Sequence, residues 1–444
     1  MRLFTSSVFA LALGLAASGF AVAADPIAAA RPDDPRGAGY AFQVVQGGRL
    51  AQSRATGSAS IELGVPLQPA SVFRIGSVTK PIVAAAILRM QELGRISLDD
   101  PLVRFLPDYP GAQKITVRQL LAHTAGVSDA WENDPAKQVT TGEVVALIGR
   151  QPPDFAPGMQ WRYSNSGYML VGAVIEAIEK RPWCDVVRSL VLEPAGMFHS
   201  GCFGDREIVP GVANGYSYAA DGSLKRAPYI SMSGPGAAGS MYSSAPDLQL
   251  FVRALTGGTL LKAASLEAMT SQQRTTDGAE TGYGLGLRIT TVHGLPAWEH
   301  DGGIDGFASQ LTVLPADDVA VVVLANSDNA VEAPRSIAHR LAAAAAGRPY
   351  PHFTDAPCPK ACVDIAGRYG EGATVRNIVF EGGRIYSERP GGPRRLLYYA
   401  QGDRLVFVGD GTDYFQIVRN RSGAPVAIDF HSDAAENGRR DARR

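Results

Sequence analysis

Charge is what this chain has little of. Of its 444 residues only 19% are Asp, Glu, Lys or Arg, against about a quarter in an average soluble domain, and the formal net charge is −1. No basic stripe runs along any segment, so nucleic acid is not an expected partner. Cysteine is scarce as well: Cys184, Cys202, Cys358 and Cys362 are the full set. In an oxidising compartment they allow three pairings, of which Cys184–Cys202 around one loop and Cys358–Cys362 closing a tight one are expected. Buried free thiols and a zinc site are the alternatives, but no histidine stands at ligand spacing beside them, so neither metal nor cofactor is expected. Missing too are the G-x-S-x-G elbow of α/β-hydrolases, the H-E-x-x-H of zinc peptidases and any Walker loop.

Long apolar runs are absent after the N-terminus, so no membrane anchor is expected. The exception is the start itself. Met1-Arg2, an apolar stretch from Leu3 to Phe20, and Ala21-Val22-Ala23 before Ala24-Asp25-Pro26 have the parts of a secretory signal peptide. Residues 1–23 therefore read as a leader cleaved after Ala23, with a periplasmic or secreted product. The remainder is too long for one small core and fits two domains.

Three short pieces then follow in order. In Ser77-Val78-Thr79-Lys80 the serine stands before an almost wholly apolar run, Pro81 to Met90, which reads as a helix buried on every side. Pro81 is tolerated there only near the first turn. Ser77 then lies at the helix N-terminus, where unpaired N–H groups favour developing negative charge, and Lys80 shares its face. A desolvated lysine loses basicity until it can act as a base near neutrality. An N-terminal serine with a surface lysine is the bland alternative, and a lone S-x-x-K arises by chance about once in a chain this long.

Tyr163-Ser164-Asn165 precedes an apolar helix, Tyr168 to Ile178. Tyr163 becomes a base only beside a cation such as Lys80, and Asn165 offers both donor and acceptor for holding Lys80 or a substrate amide. His300-Asp301-Gly302-Gly303 leads into alternating Phe307 to Leu314, a turn at 315–318 and apolar Val319 to Leu324, which read as a sheet hairpin. Gly302 and Gly303 let a substrate backbone approach the strand, and the N–H groups of Gly303 and Ser77 form a candidate oxyanion hole. Each piece alone has the composition of a common turn.

Taken together, S-x-x-K, Y-x-N and H-x-G resemble the serine β-lactamase and DD-peptidase superfamily. The likeness is to its class C-like branch of low-molecular-mass D-alanyl-D-alanine carboxypeptidases, D-aminopeptidases and related esterases. Flanking stretches are similar too, among them Leu120 to Val127, Glu193 to Met197, Ala213 to Tyr216 and Tyr283 to Arg288, so the resemblance runs from about Tyr40 to Leu341. It implies an α/β (α+β) catalytic domain with a central antiparallel sheet flanked by helices and a mostly helical insertion. It also implies acyl-enzyme chemistry, with Ser77 acylated, Lys80 and Tyr163 moving its proton, and Asn165, His300, Gly302 and Gly303 binding substrate. Arg288 matches a position that binds a substrate carboxylate in some carboxypeptidase relatives, while Asp301 would repel a carboxylate or attract an ammonium. His300 replaces the lysine of the lactamase pattern, so the field at Tyr163 is expected to be weaker or more dependent on pH. The expected substrate is a small molecule or D-amino-acid peptide, a cell-wall peptide among the candidates. A β-lactamase, a carboxylesterase or a non-catalytic penicillin-binding sensor are the rivals, and the oligomeric state is open.

Along the chain, Phe42 to Leu50 reads as a hairpin turning at Gly47-Gly48. One sheet is thus assembled from both ends of a catalytic domain spanning 24–346, with a last helix over 331–346 lying across it. Residues 24–38 read as loose, and 347–360 as a Pro-rich linker. Short β-like runs make 361–432 a small all-β domain, similar to lipocalin-like or antiparallel barrels, and 433–444 reads as a disordered polar tail.

Overall fold

Every residue of the strand Val319–Ala325 is buried, as an uninterrupted apolar run at the centre of a sheet should be. It belongs to a six-stranded antiparallel sheet. The order is Arg288–Val292, Leu295–Ile304, Phe307–Leu314, Val319–Ala325, Tyr40–Gln46 and Arg49–Thr56, so strands from both chain ends share it. The first hairpin turns at Gly47 and Gly48, with φ of 57 and 69, the left-handed geometry that a two-residue turn requires. These features belong to a computed structural model that describes residues 37–202, 204, 207–219, 223–330, 332–351, 353, 360–390, 394–408, 412–433 and 439–444. The leader at 1–23, the Cys358–Cys362 pairing and much of the 347–360 stretch lie outside the described residues.

Strand period sorts the sheet's two faces. Phe42, Val44, Val321 and Val323 pack against Ile337 and Leu341 of the helix Pro334–Ala345. On the other face, Leu311, Val322 and Leu324 join the core around the helix Thr79–Glu92. That helix is buried from Thr79 through Leu88, Lys80 included. Pro81 sits in its first turn, where its missing N–H has no intrahelical partner to lose. Cys184 and Cys202 are disulfide-bonded, as expected, which ties the short helix Trp183–Val187 to the strand Gly201–Cys202.

The C-terminal strands form a second sheet of eight, each paired with its neighbour in sequence from Gly367–Tyr369 to Arg439–Ala442. A bridge between Tyr369 and Arg443 brings the last strand back to the first, closing a barrel around Ile378, Leu405, Phe407, Phe415 and Ile428. The disordered tail expected at 433–444 is therefore corrected for residues 439–444. Arg439–Ala442 is the closing strand, with Arg440 paired to Asp429 at 2.8 Å and the Arg443 guanidinium donating to the Ala366 carbonyl at 2.6 Å. Polar composition hid it, because the strand's contribution is backbone pairing that removes two open edges, which depends little on apolar side chains.

Asp433, two residues past the penultimate strand Pro425–His431, reaches the catalytic domain. Its carboxylate accepts the His293 backbone N–H at 2.6 Å and the Tyr350 hydroxyl, and lies 3.6 Å from His339 Nδ1. His339 in turn bonds Glu299, the residue before His300, at 2.8 Å.

Candidate active site

The strand Val72–Arg74 pairs with Met241–Ser244, and the Ile75 N–H donates to the Met241 carbonyl at 3.0 Å. The chain then turns through Gly76, at φ 50, into one tight turn over Gly76–Val78 before the helix begins at Thr79. Ser77 thus stands one turn ahead of the helix. Beside it runs the strand Leu295–Ile304, whose pairing with Arg288–Val292 stops at Glu299. His300 to Ile304 are left with an open edge on that side.

Glycine is required where these segments touch. A Cβ on Gly302 would lie 2.1 Å from the Ile75 carbonyl oxygen, and one on Gly76 would lie 2.8 Å from the Gly303 nitrogen. Gly302 therefore serves the close packing of the strand on the Ser77 turn. A Cβ on Gly303 would meet nothing within 4 Å, so its surroundings are open. The contact between Gly76 and Gly303 brings the Ser77 and Gly303 backbones together, as an oxyanion hole needs.

Lys80 is fully buried, and its Nζ has three acceptors: Ser77 Oγ at 3.0 Å, Asn165 Oδ1 at 2.8 Å and the Ala238 carbonyl at 2.9 Å. Three acceptors satisfy an ammonium; the neutral amine instead accepts one proton, and Ser77 Oγ is the partner able to give it. Burial pulls the Lys80 pKa down to about 7, against the opposing pull of Asp129 and Asp301. Tyr163 is hydrogen-bonded to the Ser77 side chain, and burial raises its pKa well above that of a free phenol despite that bond. Lys80 Nζ sits over the Tyr163 ring, 4.7 Å from its centroid. Of the two expected bases, the lysine is the one poised near neutrality.

His300 departs from expectation. It is fully buried, its Nδ1 lies 2.6 Å from the Asp301 carbonyl and its Nε2 2.8 Å from the Tyr283 hydroxyl. A carbonyl can only accept, so Nδ1 carries the proton and Tyr283 donates to Nε2. Burial lowers the His300 pKa to about 4. The imidazole is therefore neutral and packed behind Tyr163, with ring centroids 6.1 Å apart, and it does not line the cleft. Arg288 and Asp301, which pointed to opposite substrates, pair with each other at 3.0 Å.

Sequence reasoning missed four contributors. Asp129, just past the Leu120–Val127 stretch, accepts hydrogen bonds from Ser164 Oγ, Asn165 Nδ2 and the Ser166 N–H. Tyr283 was visible only as part of a Gly-rich flank. The Ala238 carbonyl has no side-chain signal at all. His123, at φ 60, accepts the Ser164 N–H at 3.1 Å through Nδ1, and its ring centroid lies 4.4 Å from that of Tyr163, which places it against the site. Among the described residues, no group of His, Cys, Asp or Glu is arranged to hold a metal.

A family model described as Beta-lactamase matches residues 24–346. The chain is 29% identical over 287 residues to the putative penicillin-binding protein PbpX of Bacillus subtilis (strain 168), spanning 64% of this chain and 70% of that protein. Esterase EstB of Burkholderia gladioli is 34% identical over 179 residues, 36% of this chain and 45% of that protein. The crystal structure of a D-stereospecific amidohydrolase from Streptomyces sp. is similar with a TM-score of 0.60 and 30% identity, covering 69% of this chain and 94% of that one. The matched span contains the Ser77, Lys80, Tyr163 and Gly303 cluster entire, and the chain belongs to the Beta-lactamase family, as a serine hydrolase of that type.

Proposed function

We propose that the protein hydrolyses amide bonds of D-amino-acid amides and peptides through an acyl-enzyme on Ser77. The observation that carries this reading is the Lys80 amine, fully buried and 3.0 Å from Ser77 Oγ. Neutral Lys80 takes the Ser77 proton as Oγ attacks the acyl carbon. The tetrahedral oxyanion is received by the N–H groups of Ser77 and Gly303. Tyr163 gives its proton to the departing nitrogen and is reprotonated from the Lys80 ammonium. Water then attacks the ester carbonyl, its proton passing to Lys80, and the breaking C–O bond returns the Ser77 alkoxide, which is reprotonated from Lys80. A base free near pH 7 serves this second step too, which favours turnover over a sensor that stays acylated.

The likeness to a D-stereospecific amidohydrolase supports the substrate class. Ester hydrolysis is the second reading, favoured by the likeness to EstB. The leader-like residues 1–23 support export, and the Cys184–Cys202 disulfide is the form that an oxidising compartment maintains. Steady-state assays of D-amino-acid amides, D-Ala-D-Ala peptides, nitrocefin and p-nitrophenyl esters test the proposal against Ser77→Ala. D-Amide turnover that falls by at least about a thousandfold in the variant is the expected result. Turnover of esters alone, or an acyl adduct persisting for hours, would overturn it.

A further inference from the structure

We propose that Asp129 is a positioning residue of this site: it holds the Asn165 side chain so that its carbonyl end faces Lys80 and its amino end faces away. The two orientations of an amide are nearly isosteric, so something must select one. Lys80 needs an acceptor and finds Asn165 Oδ1 at 2.8 Å. At the other end, Asn165 Nδ2 donates to Asp129 Oδ2 at 3.3 Å. An ionised carboxylate only accepts, so it tolerates the amino end and rejects the carbonyl end.

Asp129 is itself held fast. Its Oδ1 accepts from Ser164 Oγ and from the Ser166 N–H, both at 3.0 Å, and the Ala130 N–H donates back to Ser166 Oγ at 2.9 Å. Ser164 caps the helix Asn165–Glu179, accepting the Gly167 N–H at 3.0 Å. With that acceptor position used, its hydroxyl proton is directed to Asp129. The carboxylate also lies at the positive end of a long helix, where a negative charge is favoured.

A second consequence follows from charge. Facing Lys80 are Asp129 from its loop, Asp301 and His300 from the strand Leu295–Ile304, Arg288 from the neighbouring strand, His123, and the Tyr163 and Tyr168 rings. Asp129 is the leading influence that favours the ammonium against burial. Removing its charge should make Lys80 lose its proton at lower pH.

This inference rests on the reading of Lys80 as the base, and the test separates the two. The acid limb of kcat/KM and the plateau kcat are measured for wild type, Asp129→Asn, Asn165→Ala, the double variant and Lys80→Ala. Asp129→Asn should shift the acid limb down by about half a unit or more and lower the plateau at least about tenfold, because an amide at 129 lets Asn165 turn over. On the Asn165→Ala background the same substitution should lower the plateau little further. A full additive loss would overturn the positioning role. So would an Asp129→Asn variant with both limb and plateau unchanged while Lys80→Ala is inactive. Wild-type activity in Lys80→Ala would instead sink the assignment of the base. Should Asp129→Asn not fold, Asp129→Glu carries the test: it keeps the charge and so the limb, but displaces the amide, so only the plateau should fall. A shifted limb in Asp129→Glu with an intact plateau would count against the role.

Discussion

Arg288 Nε lies 3.0 Å from Asp301 Oδ1, and both side chains are partly open to solvent, at 36% and 56% exposure. The guanidinium suits a substrate carboxylate and the carboxylate suits a substrate ammonium, yet in the resting site each occupies the other. Substrate charge must compete with this pair. Arg288→Gln should therefore leave Asp301 available and lower KM for amides with a free α-ammonium, while raising it for peptides ending in a free carboxylate. Asp301→Asn should do the reverse. The effect should be at most about fivefold, the range left to a partly exposed pair after solvent screening. KM values for the two substrate series check it, and two variants moving in the same direction would remove the pair from specificity.

The pH dependence should belong to Lys80. Its pKa is lowered to about 7 and its neutral form is the active one, so kcat/KM should rise with pH through that value. His300, with a pKa near 4, stays neutral across the working range. In His300→Gln the midpoint should move by less than about half a unit, although kcat should fall because the flexible amide does not reproduce the rigid imidazole bridge between the Tyr283 hydroxyl and the Asp301 carbonyl. A profile between pH 4 and 9 that flattens in this variant would make His300 the titrating group after all.

The two glycines of the strand should separate sharply. Gly302→Ala puts a methyl 2.1 Å from the Ile75 carbonyl, forcing the Ser77 turn to shift; a loss of about 1–3 kcal/mol in stability is expected, with most of the activity. Gly303→Ala meets nothing within 4 Å, so its thermal midpoint should stay close to wild type and any loss should appear in turnover alone. Parallel melting curves and assays distinguish them, and equal destabilisation would contradict the packing described.

The barrel's hold on the catalytic domain should depend on pH through His339. Glu299 and Asp433 raise its pKa in spite of burial. Its contribution to stability is thus fully present below its unfolded value of about 6.5 and is lost as pH rises through the higher folded value. Glu299 behaves oppositely: its pKa is lowered, with His339 opposing the effect of burial, so its contribution is lost as pH falls through the folded value. The clasp should be strongest between the two, and His339→Gln should flatten the alkaline side of a melting-temperature profile. An unchanged alkaline slope in that variant would detach the clasp from stability.

Much of the fold was legible because periodicity and glycine placement are local signals. The hairpin at Gly47-Gly48, the buried helix after Ser77 and the strands flanking 315–318 each follow from a few neighbouring residues. The closing strand Arg439–Ala442 was not legible, since its backbone pairing leaves little trace in side-chain pattern. Asp129 stayed hidden for a related reason. A carboxylate in a loop carries no spacing signature, and only the arrival of Ser164, Asn165 and Ser166 gives it a function.

By itself the sequence determined which chemical groups this protein has at its disposal: a hydroxyl, an amine, a phenol and an amide on segments able to form helix and strand. What only the tertiary structure decided is the protonation and partnering of those groups. Burial on every side lowers the proton affinity of Lys80 to a useful range and keeps Tyr163 and His300 neutral, and desolvation is a property of packing from distant parts of the chain. The same holds for Arg288 and Asp301, whose opposed preferences cancel only because two adjacent strands set them side by side.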